Sequence, residues 1–153
     1  MSKCSELCLR VLNITRDVVT SHYKDFIHFA LLYGSLVYGA FGPLSDIDVA
    51  LMLKEDVDVI NVLPILISDL ALALGLPEDK IDITVLNDPS LPLAVRFEAL
   101  TQGVPIYISD RGVFVKEVVK AISLYGDYQV FLRANAFNEL IRRRVSELRG
   151  SFK

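Results

Sequence analysis

This 153-residue chain predicts an α/β (α+β) fold, a mixed β-sheet flanked by helices. Three observations carry that expectation. Short, nearly unbroken apolar runs at 26–33, 46–54, 80–86 and 104–109 have the length of buried strands. The segments between them repeat apolar residues at the three- and four-residue spacing of helices. Glycine and proline fall at the joins.

The elements follow in order. Residues 5–21 place Leu7, Cys8, Val11, Leu12, Val18 and Val19 on one helical stripe. FIHFALLY, residues 26–33, ends at Gly34 as a buried strand would. LVYGAF, residues 36–41, reads as a short helix stopped by Gly42-Pro43. DIDVALMLK at 46–54 predicts a second strand. A long helix is expected over 57–74, ended by Gly75, with Pro64 marking a kink or a start near 62. KIDITVL at 80–86 predicts a third strand, 90–102 a helix, and VPIYIS at 104–109 a fourth strand. From 112 almost to the end the pattern is helical, with Gly126-Asp127 dividing two helices. The whole chain, 1–153, is read as one domain, with a core of 20–110 and a helical extension of 112–150.

Composition narrows the function classes. With 52% hydrophobic and 23% charged residues, the chain can bury a core and is not of the disordered class. No apolar run reaches the roughly 18–20 residues that cross a bilayer, so no membrane partner is expected. The opening MSKCSELCLR has charges where a signal peptide has its apolar core, and a cytoplasmic location is expected. A net charge of −3 argues against broad attraction to nucleic acid, and direct nucleic-acid binding is not expected. The local exception is Arg142-Arg143-Arg144, read as a solvated helix face with a partner or polynucleotide contact as the alternative. Cys4 and Cys8 are one helical turn apart and read as small apolar residues of a helix face; without a His or further Cys they make no metal site. His22 and His28 match no ligand pattern, and Tyr125 and Tyr128 read as packing or partner-surface residues.

The chemistry is concentrated in LLYGSLVYGAFGPLSDIDVALML. Residues two apart on a strand face the same side, so Asp46 and Asp48 are expected to project together. Adjacent like charges destabilise a sheet, and a dication between them removes that penalty. Mg²⁺ is commonly held by one or two carboxylates together with substrate phosphates. Asp82, in the strand KIDITVL, is the third candidate; with the other two it can position metal or take a proton from an attacking hydroxyl. Gly34 and Ser35 end the first strand and open a helix, where free N–H groups favour phosphate. Gly39 is read as a packing glycine, and Ser45 as a residue that steadies the loop beside the nucleotide.

Gly34-Ser35, ten residues, Asp46-x-Asp48, and Asp82 on a later strand resemble the DNA polymerase beta nucleotidyltransferase superfamily. The size is similar to that of its minimal nucleotidyltransferase (MNT) antitoxins, and DITVLNDPSLPLAVRFEALTQGVPIYISDR looks like the segment after their third carboxylate. The resemblance runs from about residue 20 to 145. It implies a polymerase-beta-like core with C-terminal helices. It implies an antitoxin of a type VII toxin–antitoxin system, moving AMP from ATP to a tyrosine of a HEPN ribonuclease toxin. On this resemblance Asp46, Asp48 and Asp82 hold Mg²⁺, two ions in all, Asp82 also acts as base, and Gly34, Ser35 and Ser45 hold the nucleotide. Tyr38 stands where members often carry an arginine that helps hold the triphosphate. A weakly catalytic antitoxin acting by binding alone, and nucleotide transfer to a small molecule, are the competing readings.

Overall fold

The computed structural model describes residues 4–151. Helix α1 (Glu6–His22) starts at Ser5, whose hydroxyl accepts the Cys8 N–H at 3.1 Å. Strand β1 (Ile27–Tyr33) leads through Gly34 into the one-turn helix α2 (Ser35–Tyr38). Strand β2 (Ile47–Leu53) is followed by helix α3 (Val59–Leu74), a 3₁₀ turn at Glu78–Lys80 and strand β3 (Ile81–Val85). Helix α4 (Leu93–Gln102), strand β4 (Val104–Ile108) and helix α5 (Arg111–Ser151) complete the chain.

The sheet runs β3-β2-β1-β4. β1 is antiparallel to both β2 and β4, while β2 and β3 are parallel, so the sheet is mixed as expected. The two central strands are buried on both faces, which is why their sequences read as continuous apolar runs. One face packs Ile27, Ala30, Leu32, Val49 and Leu51 against Val19 of α1 and Leu66 and Leu70 of α3. The other packs Phe29, Leu31, Ala50 and Met52 against Ala99 and Leu100 of α4 and Ala121 of α5. Phe29 meets Phe114 edge to face at 5.0 Å.

Five expectations change. The two helices expected on either side of Gly126-Asp127 are one helix of 41 residues. Gly126 costs about 1 kcal/mol in a helix interior, less than ending one helix and nucleating another. Tyr125 also stacks on Phe97 of α4, with centroids 4.3 Å apart, and anchors the backbone there. Helix α2 ends at Tyr38, earlier than Gly42-Pro43, because Gly39 takes the left-handed conformation at φ 78. A Cβ on Gly39 would meet nothing within 4 Å, so Gly39 serves the turn and not packing. Pro64 neither delays nor interrupts α3. The carbonyl it leaves unbonded belongs to Ile60, which is exposed and open to water. Cys4 and Cys8 are joined as a disulfide; Cys4 precedes the helix cap, which brings its Cα within 5.2 Å of that of the buried Cys8. Gly75 ends α3 as expected, with the Leu76 N–H returning to the Ala71 carbonyl at 3.0 Å.

Candidate active site

Asp48 is the second residue of β2, and alternation turns its side chain to the sheet face covered by α4 and α5. Parallel pairing sets Asp82 of β3 directly beside it: Ile47 matches Ile81 and Asp48 matches Asp82. On the other flank Tyr33, at the end of β1, is the register partner of Asp48. The Tyr33 hydroxyl shares a 2.7 Å hydrogen bond with Thr84 Oγ1. Asp46 lies in the loop just ahead of β2, one residue short of the strand that the sequence placed it in.

Burial pushes the Asp48 carboxyl up to about 6, helped next by the charges of Asp82 and Asp46, by a hydrogen bond with Asp82, and by Glu98. Negative charge is therefore concentrated at one end of the neighbouring strands β2 and β3. Oxygen donors in that setting are the ligand type that hard cations take. Among the described residues no three His, Cys, Asp or Glu side chains already form a cluster able to hold one metal ion.

Gly34 sits against this point. It has φ 82, a conformation that L side chains rarely adopt. A Cβ there would overlap Oδ2 of Asp48 and come within 3.0 Å of its Cγ. The backbone can thus lie against the carboxyl only because position 34 carries no side chain. Ser35, partly buried, is the first residue of α2, whose opening N–H groups have no partner inside the helix. With four residues α2 is a single turn, so these N–H groups contribute more than any helix dipole. Ser45 closes the loop: its Oγ accepts the Gly42 N–H at 3.0 Å, and its own N–H donates to the Gly42 carbonyl at 3.0 Å.

Glu98 of α4 was missed by sequence reasoning. Its charge acts on the Tyr38 hydroxyl and adds to the charge felt by Asp48. Burial and then Glu98 push Tyr38 up to about 12. Nothing local marks Glu98, because it reaches the site through the packing of α4 on the sheet.

Residues 18–112 match the family described as Polymerase beta, Nucleotidyltransferase. The chain belongs to that family. Within this nucleotidyltransferase core, Gly34, Asp46, Asp48 and Asp82 all fall inside the matched residues, and nearly all of α5 lies beyond them. No curated protein matches the sequence. Among solved structures, the chain is 23% identical to one of a toxin–antitoxin with AMP-PNP, at a TM-score of 0.64, over 84% of this chain and 98% of that one. It is 21% identical to the toxin–antitoxin MntA–HepT, at a TM-score of 0.60, over 86% and 98%. It is also 21% identical to a structure of tri-AMPylated Shewanella oneidensis HEPN toxin in complex with MNT antitoxin, at a TM-score of 0.58, over 84% and 98%. At these identities the likeness is one of fold. No helix among the described residues is long and apolar enough to cross a membrane. Arg142-Arg143-Arg144 lies far along α5, beyond the residues matched by the family.

Proposed function

We propose that this nucleotidyltransferase is the antitoxin of a type VII toxin–antitoxin pair, a Mg²⁺-dependent protein adenylyltransferase. Its substrate is ATP and its acceptor is a tyrosine of a HEPN-family ribonuclease toxin in the cytoplasm. One observation carries the reading: the Gly34 backbone lies against the Asp48 carboxyl while Asp82 stands in register beside it. A phosphate-cradling turn touching a carboxylate pair is what transfer of a nucleotidyl group requires. The toxin–antitoxin structures that share this fold support the partner.

Asp46, Asp48 and Asp82 would hold Mg²⁺, two ions in the complete site, through carboxylate oxygens. When bound, the metal offsets phosphate charge and polarises the α-phosphoryl group. Neutralising their mutual repulsion would be part of what a bound cation contributes. Gly34 and Ser35 receive the triphosphate oxygens on backbone N–H groups and the Ser35 hydroxyl. Ser45 keeps the loop that carries Asp46 closed over that side. Asp82 takes the proton of the acceptor hydroxyl as its oxygen attacks the α-phosphorus; the bond to the bridging oxygen breaks and pyrophosphate leaves. Glu98 places negative charge beside Tyr38, the position where relatives often carry an arginine.

The deciding experiment incubates the chain with ATP, Mg²⁺ and the helical protein encoded beside it, followed by intact mass measurement. AMP added to a tyrosine of the neighbour is expected, and its loss in Asp48→Ala. A stable complex with no added mass would favour inhibition by binding alone, a reading favoured by Tyr38 in place of the loop cation. Labelling of a small molecule with the neighbour untouched would favour the small-molecule alternative.

A further inference from the structure

Helix α5 has two different halves. Up to Tyr125 it packs on the body through Val113, Phe114, Val118 and Ala121, ending at the Phe97–Tyr125 stack. From Val130 to Gly150 every residue is exposed. At 100° per residue, Val130, Ala134, Phe137, Ile141 and Val145 fall on one narrow stripe, with Phe131 at its border. Val130 and Phe137 are 66% and 61% exposed. The stripe is roughly 22 Å long at 1.5 Å per residue.

Most helical stability in proteins comes from packing an amphipathic face, and this face has none from its own body. A contiguous apolar strip bordered by charge marks an interaction surface, and anchors spaced by three and four residues are how a helix docks on another helical surface. The borders say what kind. Arg133 and Arg144 lie on one side and Arg142 and Arg149 on the other, while Glu139 points away from the stripe and Glu147 lies farther round than Arg144. Arg144 approaches Glu147 at 3.4 Å, an exposed pair that contributes little and leaves both borders basic. A second copy of the chain would set arginine borders against arginine borders, which opposes self-pairing.

We propose that residues 130–149 are a docking surface for an α-helical partner protein whose apolar stripe is bordered by aspartate and glutamate. The surface uses no residue of the nucleotide site, so it stands or falls independently of the transfer reaction.

The test titrates the full chain into a labelled three-heptad peptide with a leucine stripe and glutamate borders, and into a twin with lysine borders, followed by fluorescence polarisation. The glutamate peptide should bind about tenfold or more tighter than its twin, roughly the effect of one hot-spot contact. Phe137→Ala with Ile141→Ala should weaken it by about tenfold; alanine preserves the helix, which circular dichroism checks. Replacing the four bordering arginines by glutamate should reverse the preference between peptides. Hydrogen exchange should slow over 130–149 when the glutamate peptide is added. Equal binding of the two peptides, or binding of neither, overturns the proposal. So does a sedimenting dimer that the double alanine variant dissolves, which would make the occupant a second copy. Tighter binding to phosphatidylserine vesicles or single-stranded RNA than to the peptide overturns it as well.

Discussion

Asp48 and Asp82 are register partners on adjacent parallel strands, and after burial the charge of Asp82 is what most raises the Asp48 carboxyl. That proximity is the most consequential feature of the site. It concentrates acceptor oxygens and also makes the carboxyl at 48 a measurable titrating group.

The sign of its effect on stability is set by the direction of its shift. The folded-state value of Asp48 is raised from 3.8 to about 6, so the folded state binds this proton more tightly than the unfolded chain does. Its favourable contribution is full below about pH 3.8 and is lost as pH rises through about 6. Asp48→Asn cannot ionise, so it should melt above the parent at pH 8, with a gain of about 1 kcal/mol because solvent screens this half-exposed carboxyl. The gain should shrink toward zero near pH 4. Thermal melts across that range check it, and a pH-independent difference would contradict the assignment.

Gly34→Ala should destabilise by about 2 kcal/mol or more, since it combines a strained φ with overlap on the Asp48 carboxyl. The overlap part disappears when that carboxyl is removed. In an Asp48→Ala background the same substitution should therefore cost less, and urea melts of the four proteins give the coupling. Additive penalties would show that the two residues do not touch.

Mg²⁺ with ATP should raise the melting temperature of the parent and leave Asp48→Ala nearly unmoved. Binding to the folded state stabilises in proportion to the logarithm of ligand over Kd, about 2.7 kcal/mol at a hundredfold excess. Differential scanning fluorimetry with ATP alone, Mg²⁺ alone and both separates the two ligands. A parent melt unaffected by the pair at saturating concentration would remove the nucleotide site.

Gly126→Ala should increase helicity and add up to about 1 kcal/mol, because Gly126 sits in an uninterrupted helix and an added Cβ meets nothing within 4 Å. Far-ultraviolet circular dichroism and a urea melt measure both. A loss of stability would mean that position 126 is a break between two helices after all.

Much of this protein could be read along the chain. Ile27–Tyr33 and Ile47–Leu53 are buried on both faces, and that burial writes itself as unbroken apolar runs. Gly75 announced the end of its helix because a left-handed residue is needed there. The Gly-Ser and Asp-x-Asp pattern was legible because both of its parts fall within one short stretch of the chain.

Other features depended on distance in space. Gly126-Asp127 looked like a break because sequence shows the local penalty and not the Tyr125–Phe97 stack that outweighs it. The Cys4–Cys8 link depended on where the helix cap falls. Glu98 entered the site only through the docking of α4.

By itself, then, the order of residues determined the class of fold, most element boundaries and the acidic residues to watch. The folded chain alone decided that β2 and β3 run parallel in a register that sets Asp82 against Asp48, and that Gly34 closes on the same carboxyl. Local patterns report what each segment prefers with its near neighbours. Strand partnership and side-chain approach are set by the packing of segments dozens of residues apart, which no single stretch of sequence encodes.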